Sequence, residues 1–364
     1  MKRILILTNH SFMLWQFRRE LIAKLLEMGY AVTIGVPFGD HVEDFIAMGC
    51  RMIDTPLDRR SVNPIPDLKL YFQYRSILKE LQPDMVITYS IKPNIYGGFA
   101  CRTLGIPYCV NVQGLGTAFQ GGAIAALVTR MYKTALKKAR VVFFENQANA
   151  AMFRELNITP ESQQRVLMGA GINLDFYARQ DYPGNDRVHF LYLSRLMREK
   201  GIEELFSAVR RLREDGEEFL LDLVGFYEEG YKEQVEELEK LGICRFHGFQ
   251  MDPRPYYAAA DCVVLPSYHE GMSNVLLEAA AIGRPVITSD IPGCREAVIH
   301  GTTGYTCPAR DAEGLYLAMQ QFLALTRTER EEMGLAGHRH IETNFNKKDV
   351  VQTTISAIFP EVLV

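Results

Sequence analysis

The sequence predicts an α/β chain of two doubly wound, parallel-sheet domains facing each other across a cleft. Three observations lead there. The chain has 364 residues, and at roughly 150 residues per domain that length suits two cores. Short β-branched runs alternate with helical patterns from end to end, the pattern of successive β-α-β units. The alternation breaks once, at residues 180–187 (QDYPGNDR), and then restarts with a new buried-strand run. The boundary is placed near residue 182, giving domains 1–182 and 183–346 with a terminal segment 347–364.

In the first half the strand candidates are residues 3–7, 31–36, 85–88, 108–111, 141–144 and 165–168. The opening Met1-Lys2-Arg3 and apolar run resemble the start of a signal peptide. The run stops at Thr8-Asn9-His10, however, and no small-residue cleavage site follows, so it reads as a first buried strand. Between the first two strands Phe17, Leu21, Leu25 and Met28 recur at helical spacing, and Gly29 supplies a helix stop. In the second half a strand at 189–193 precedes a helix with Ile202, Leu205, Phe206, Val209 and Leu212 on one face. Strand runs at 219–224, 244–247, 262–265 and 285–288 follow. Both halves are therefore Rossmann-like, with ligand sites expected at the carboxyl ends of the strands.

Composition excludes several classes. Apolar residues are 48% and charged residues 23%, ordinary for a globular protein. No apolar run approaches the about 20 residues that span a bilayer. The seven cysteines are scattered, with no C-x-x-C pair, and read as reduced, buried thiols of a cytoplasmic protein. The net charge of −4 hides an asymmetry: residues 1–180 carry 21 Lys+Arg against 14 Asp+Glu, and the remainder 19 against 30. A basic first half suits an anionic partner such as a phosphorylated acceptor or an acidic membrane surface, or it is solvated charge that has simply segregated. Nothing forms a nucleic-acid-binding stripe. Residues 123–140 (AIAALVTRMYKTALKKAR) mix apolar side chains with Arg130, Lys133, Lys137, Lys138 and Arg140. The segment reads either as a membrane-surface helix or as a packed helix with a solvated basic edge.

Two constellations carry chemistry. The first runs Ser267-Tyr-His-Glu270-Gly-Met-Ser-Asn-Val-Leu-Leu-Glu278, after the strand at 262–265 and into a helix. Ser273 and Asn274 suit a helix start, Gly271 lets backbone approach a ligand, and a helix N-terminus is an anion site. Two glutamates eight residues apart, one before the helix and one two turns in, lie roughly 12 Å apart along its axis at about 1.5 Å per residue. That matches the separation of the two sugars of a nucleotide sugar, whose hydroxyl pairs carboxylates accept. Alternatively Glu270 biases the helix dipole and Glu278 is solvated. The second is Leu193-Ser-Arg195-Leu-Met-Arg198-Glu-Lys200-Gly201, a strand end, a cationic loop and a helix start. Arg195 and Lys200 suit a diphosphate, each charge-assisted bond being worth about 1.5–3 kcal/mol when desolvated. A surface charge run with Arg198 as a solvated neighbour is the plain alternative.

In this order the motifs resemble the retaining nucleotide-sugar glycosyltransferases of family 4, which have the GT-B architecture. The family's E-x7-E matches Glu270 and Glu278, its R-x4-K matches Arg195 and Lys200, and residues 283–296 (GRPVITSDIPGCRE) follow its pattern. The resemblance implies that Arg195 and Lys200 neutralise the donor diphosphate. Glu270 then contacts the transferred sugar, and Glu278 the ribose hydroxyls. Backbone N–H groups around Ser273, Asn274 and Val275 meet the distal phosphate, Gly271 and Met272 also bind the donor, and the base rests near Gly248, Phe249 and Gln250. It also implies that the last helix, about 347–358, crosses back to the first domain.

The first half resembles a subgroup acting on polyprenyl-diphosphate-linked saccharides in bacterial surface-glycan assembly. The carrying residues are Tyr89-Ser-Ile-Lys92-Pro-Asn94-Ile-Tyr-Gly97-Gly98 and Gln113-Gly114-Leu-Gly116-Thr. Many relatives place a histidine where this chain has Gln113, and Thr8-Asn-His10-Ser-Phe replaces a glycine-rich loop. His10, Lys92, Asn94, Gln113 and Gly114 are the acceptor-side candidates. The subgroup implies a UDP-hexose or UDP-N-acetylhexosamine donor, which is a substrate, with no resident cofactor, at the inner face of the cytoplasmic membrane. No D-x-D triplet or His/Cys cluster at ligand spacing occurs, so metal-independent transfer is expected. No G-x-G-x-x-G follows either first strand, which argues against a dehydrogenase. A nucleotide-sugar epimerase and a non-catalytic binding module are the competing readings.

Overall fold

The computed structural model describes residues 2–57, 64–114, 119 and 122–360. They form two compact units, Met1–Gly171 with Lys348–Val364, and Ile172–Lys347.

The first unit carries strands β1 (Arg3–Leu7), β2 (Ala31–Val36), β3 (Arg51–Asp54), β4 (Met85–Tyr89), β5 (Tyr108–Val112), β6 (Val141–Phe144) and β7 (Gln164–Val166). Helices α1 (Ser11–Glu27), α2 (Val42–Ala47), α3 (Pro64–Leu81), α4 (Gly98–Leu104), α5 (Gly122–Ala135) and α6 (Gln147–Glu155) alternate with them. All strands are parallel, in the order β3-β2-β1-β4-β5-β6-β7. β4, β5 and β6 are buried along their whole length, as a sheet covered on both faces requires. Chain order reverses between β1 and β4. There Ser90 Oγ donates to Asn9 Oδ1 at 2.7 Å, tying the loop after one strand to the loop after the other.

α1 buries Leu14, Arg18, Leu21, Ile22 and Leu25. This stripe is rotated from the Phe17–Met28 face that spacing suggests, because Arg18 lies inside, donating to Glu145 at 2.6 Å. An apolar period cannot register a buried cation that has found its carboxylate.

The second unit has β8 (Val188–Leu193), β9 (Phe219–Val224), β10 (Cys244–Phe246), β11 (Cys262–Leu265), β12 (Val286–Ser289) and β13 (Gly304–Cys307), parallel in the order β10-β9-β8-β11-β12-β13. Its helices are α7 (Ile202–Glu214), α8 (Lys232–Lys240), α9 (Arg254–Ala259), α10 (Asn274–Ile282), α11 (Ala312–Ala324) and α12 (Arg327–Asn344). All five apolar positions expected on α7 are buried. The unit begins at Ile172, not near residue 182. Ile172 and Tyr177 belong to its core, and the buried Arg284 guanidinium donates to the carbonyls of Gln180 (3.3 Å) and Asp181 (2.7 Å). The Pro/Gly stretch reads as a linker, yet its carbonyls satisfy a cation that could not otherwise stay buried.

α13 (Lys347–Ile358) returns the chain to the first unit. Val350, Ile355, Ile358 and Phe359 join the core beneath α1, and the Phe359 ring stacks on Tyr30 at 4.9 Å. All seven cysteines are buried and free.

Candidate active site

In the second sheet the order reverses between β8 and β11, which pair directly through Phe190 with Cys262 and Leu191 with Val263. Residues that follow these two strands therefore emerge side by side at the carboxyl edge, where doubly wound sheets bind ligands. After β8 come Arg195 and Lys200; after β11 come Ser267 and Glu270. Two segments some seventy positions apart in sequence are thus neighbours.

Local contacts lock them together. The hydroxyl of buried Tyr192, near the end of β8, points at the carbonyls of Arg195 (3.0 Å) and Lys200 (3.5 Å) and so folds the cationic loop back on its strand. Gly201 has φ +70°, and a Cβ there would overlap the Pro266 carbonyl. Tyr268 N donates to Glu199 O at 2.9 Å. Lys200 Nζ then reaches Glu270 Oε1 at 2.5 Å, and Ser267 Oγ donates to that same oxygen at 2.9 Å. Lys200 and Glu270 keep about 15% of their side chains exposed, 16% and 15%, enough to be reached from solution. Arg195 is more open and lies 3.7 Å from Glu228; Arg198 is exposed and pairs with Glu203.

α10 begins at Asn274, and its N-cap Ser273 makes no side-chain capping bond. Ser273 N instead donates to Gly293 O at 2.7 Å. Gly293 has φ +87°, and a Cβ on it would stand 2.7 Å from the carbonyls of Glu270 and Gly271. Met272 and Ser273 are buried, Gly271, Asn274 and Val275 half-buried, and Asn274 Oδ1 is buried without a hydrogen-bond partner. A helix start leaves first-turn N–H groups without intrahelical acceptors, together with the positive end of the dipole. Glu270 precedes α10, as expected, but Glu278 is its fifth residue and not two turns in, and residues 270–273 are not helical, so a rise of about 1.5 Å per residue does not give their separation. Its side chain is buried, and Tyr257 OH donates to Oε2 at 2.8 Å. Burial pushes its carboxyl up to about 7, against the pull of the Tyr257 and Tyr177 hydroxyls and the charge of Lys347.

On the β9–β10 side Gly248 has φ +67° and accepts from Gly225 N at 2.9 Å. Phe249 is exposed 6.3 Å from exposed Phe226, and Gln250 Nε2 donates to His247 O at 2.7 Å.

The first unit's candidates divide. His10 occupies the N-cap of α1. Lys92 Nζ donates to Asp67 Oδ1 at 2.6 Å, and Tyr96 OH donates to Oδ2 at 2.9 Å, so this cation already has a carboxylate. Asn94 is buried, accepting from Thr88 Oγ1 (2.7 Å) and donating to Asn111 O (2.8 Å), which bolts the turn after β4 to β5. Gln113 and Gly114 are half-buried directly after β5; Gly116 and its neighbours lie outside the described residues. Sequence reasoning missed Ser267 as a partner of Glu270, although its place three residues earlier at a strand end was a usable signal. It also missed Tyr192 and Tyr257, which nothing in the sequence marks.

Among the described residues no group of three or more His, Cys, Asp or Glu is arranged to hold a metal ion, and no helix is long and apolar enough to cross a membrane. Two family models match, "Glycosyl transferase 4-like" over residues 3–146 and "Glycosyl transferases group 1" over residues 178–340. The N,N'-diacetylbacillosaminyl-diphospho-undecaprenol alpha-1,3-N-acetylgalactosaminyltransferase of Campylobacter jejuni is 27% identical over 331 residues, covering 86% of this chain and 87% of the relative. The UDP-Gal:alpha-D-GlcNAc-diphosphoundecaprenol alpha-1,3-galactosyltransferase of Escherichia coli is 24% identical over 306 residues, covering 78% and 76%. Anabaena HepE, solved with UDP and glucose, shares the fold with TM-score 0.80 at 17% identity over 98% of this chain and 99% of that one. One matched model spans the second sheet and the other all but the last strand of the first, and the two motifs meet at the second sheet's point of reversal: the chain belongs to family 4 of the glycosyltransferases and has the GT-B fold.

Proposed function

We propose that the chain moves a hexose or N-acetylhexosamine from a UDP-sugar to a saccharide on a polyprenyl diphosphate, with retention of configuration and without a metal ion. The carrying observation is the meeting of Lys200 and Glu270 at 2.5 Å beside the uncapped start of α10. An ammonium has three donors; one holds Glu270, leaving others for a diphosphate. Lys200, Arg195 and the α10 amides stabilise the charge that develops on the leaving phosphate, the term that is usually largest in such reactions. Glu270 accepts from a hydroxyl of the departing sugar and Glu278 from the ribose, with the base near Gly248, Phe249 and Gln250. The departing phosphate oxygen takes the acceptor proton, so no enzymic nucleophile is needed.

The printed activities of the Campylobacter and Escherichia relatives, both on undecaprenyl-diphosphate-linked acceptors, support the acceptor class; UDP-Gal in one and UDP in the Anabaena complex support the donor. Nucleotide sugar and lipid-borne acceptor meet at the cytoplasmic face of a membrane. The test is a panel of UDP-sugars with a polyprenyl-diphosphate-linked saccharide in the presence of EDTA, read by mass spectrometry with the anomer determined. Transfer with a retained anomer is expected, and Lys200→Ala abolishes it while melting as the parent does. Full turnover by that variant overturns the leaving-group role, and conversion of donor without acceptor gives the site to an epimerase.

A further inference from the structure

We propose that Asp222 is a positioning residue for the donor's nucleobase, acting through His247 to hold the Gly248–Gln250 loop in place. The proposal rests on the reading that the base lies against that loop, and adds what fixes the loop. β9 reads FLLDLV, one charge among five apolar residues, all of them buried. Its neighbour β10 is an edge strand of three residues, too short for backbone pairing alone to set its register firmly. A carboxylate inside the fold is costly unless it is paired, and β10 supplies the partners.

Arg245 stands opposite Asp222 in the ladder. Its Nε donates to Oδ1 at 2.9 Å and its Nη2 to Oδ2 at 3.1 Å. His247, two residues on and so on the same face, brings Nε2 within 2.7 Å of Oδ1. An ionised carboxylate only accepts, so that nitrogen donates. From the other side, on β8, His189 Nδ1 stands 3.7 Å from Oδ2. The Asp222 side chain is 11% exposed and that of Arg245 53%, so the carboxylate is the buried end of the pair. A slip of β10 by one residue would turn Arg245 and His247 to the opposite face and leave Asp222 buried and alone. A leucine at this position would pack but would not select the register. The loop leaves the sheet from this clamp. His247 N donates to Leu223 O at 2.9 Å, Gln250 Nε2 to His247 O at 2.7 Å, and Gly225 N to Gly248 O at 2.9 Å. The His247 ring also meets Tyr256 edge-on at 5.0 Å. Asp222 thereby sets the height at which Gly248 turns and at which Phe249 and Gln250 meet a base. Arg195 and Lys200 follow β8 and contact Glu228 and Glu270 instead, so the clamp acts on base recognition and not on the diphosphate.

The test is calorimetric titration with UDP and with inorganic pyrophosphate. His247→Leu is expected to bind UDP about tenfold more weakly, the loss of one hydrogen bond to a charged group being passed on to the base. Its pyrophosphate affinity stays at the parent's value. His247→Gln, whose amide nitrogen reaches the position of Nε2, restores UDP binding. Asp222→Asn behaves as His247→Leu does; should it fail to fold, the two His247 variants decide alone. Unchanged UDP binding by His247→Leu overturns the proposal. So does equal weakening of UDP and pyrophosphate, which marks general damage to the unit, and so does a glutamine that restores nothing. Phe249→Ala separates the clamp from the reading beneath it. If Phe249→Ala weakens UDP binding and His247→Leu does not, the clamp alone is wrong. If neither weakens it while Lys200→Ala does, the base lies elsewhere and both readings fall.

Discussion

The two carboxylate oxygens of Glu270 are not equivalent. Oε1 accepts from both Lys200 and Ser267, whereas Oε2 accepts no hydrogen bond among the described residues. Ser267, wholly buried, therefore helps to fix which oxygen is engaged and which stays open to a further donor. Ser267→Ala leaves UDP affinity unchanged and weakens UDP-sugar affinity about tenfold, the value of one bond to a charged group. Calorimetric titration with both nucleotides checks this, and equal weakening of the two would make Ser267 a loop anchor only. Glu278 obeys a different logic. Its carboxyl is raised to about 7 by burial, so the fold is favoured while the group is protonated. That contribution is whole below the ordinary carboxylate range and fades as the pH rises through about 7. Between pH 4.5 and 8 the parent should lose about 3 kcal/mol of stability relative to Glu278→Gln, measurable by urea unfolding across pH. Both glutamates were legible in the sequence as types at a spacing; their separate environments were not, because Tyr257 and Ser267 decide them.

Among elements, strands were legible where both faces are covered. β9 (FLLDLV) and β11 (CVVL) are buried throughout and stand out as apolar runs. β3 (RMID) and β13 (GYTC) escaped notice, and both are edge strands with half-exposed residues. An edge strand is held by backbone pairing on one side and need not look hydrophobic. The loop after β8 and the loop after β11 also approach each other closely at Gly201. Alanine there meets a left-handed backbone and the Pro266 carbonyl together, so Gly201→Ala should cost about 3 kcal/mol. It should also lower transfer by pulling Lys200 from Glu270. Thermal unfolding and donor kinetics on one preparation check both effects, and a variant that melts and turns over like the parent would show the loops to be independent.

At the scale of the molecule, the two-sheet architecture followed from rhythm alone, and the juxtaposition of R-x4-K with E-x7-E follows from β8 and β11 being neighbours at the reversal of strand order. The first unit's true limits could not be read that way. Its start-to-finish continuity is broken: Ile172–Lys347 intervene before the chain returns with Val350, Ile355, Ile358 and Phe359 for the core that holds Ile4, Tyr30 and Leu25. On a ribosome adding roughly 5–20 residues per second, the intervening unit takes roughly 10 to 35 seconds to emerge. During that interval the first-translated unit waits with the groove for Phe359 uncovered, and the later-translated one can close first. Maturation can then run opposite to birth order, the core of the half that left the tunnel earliest being completed last.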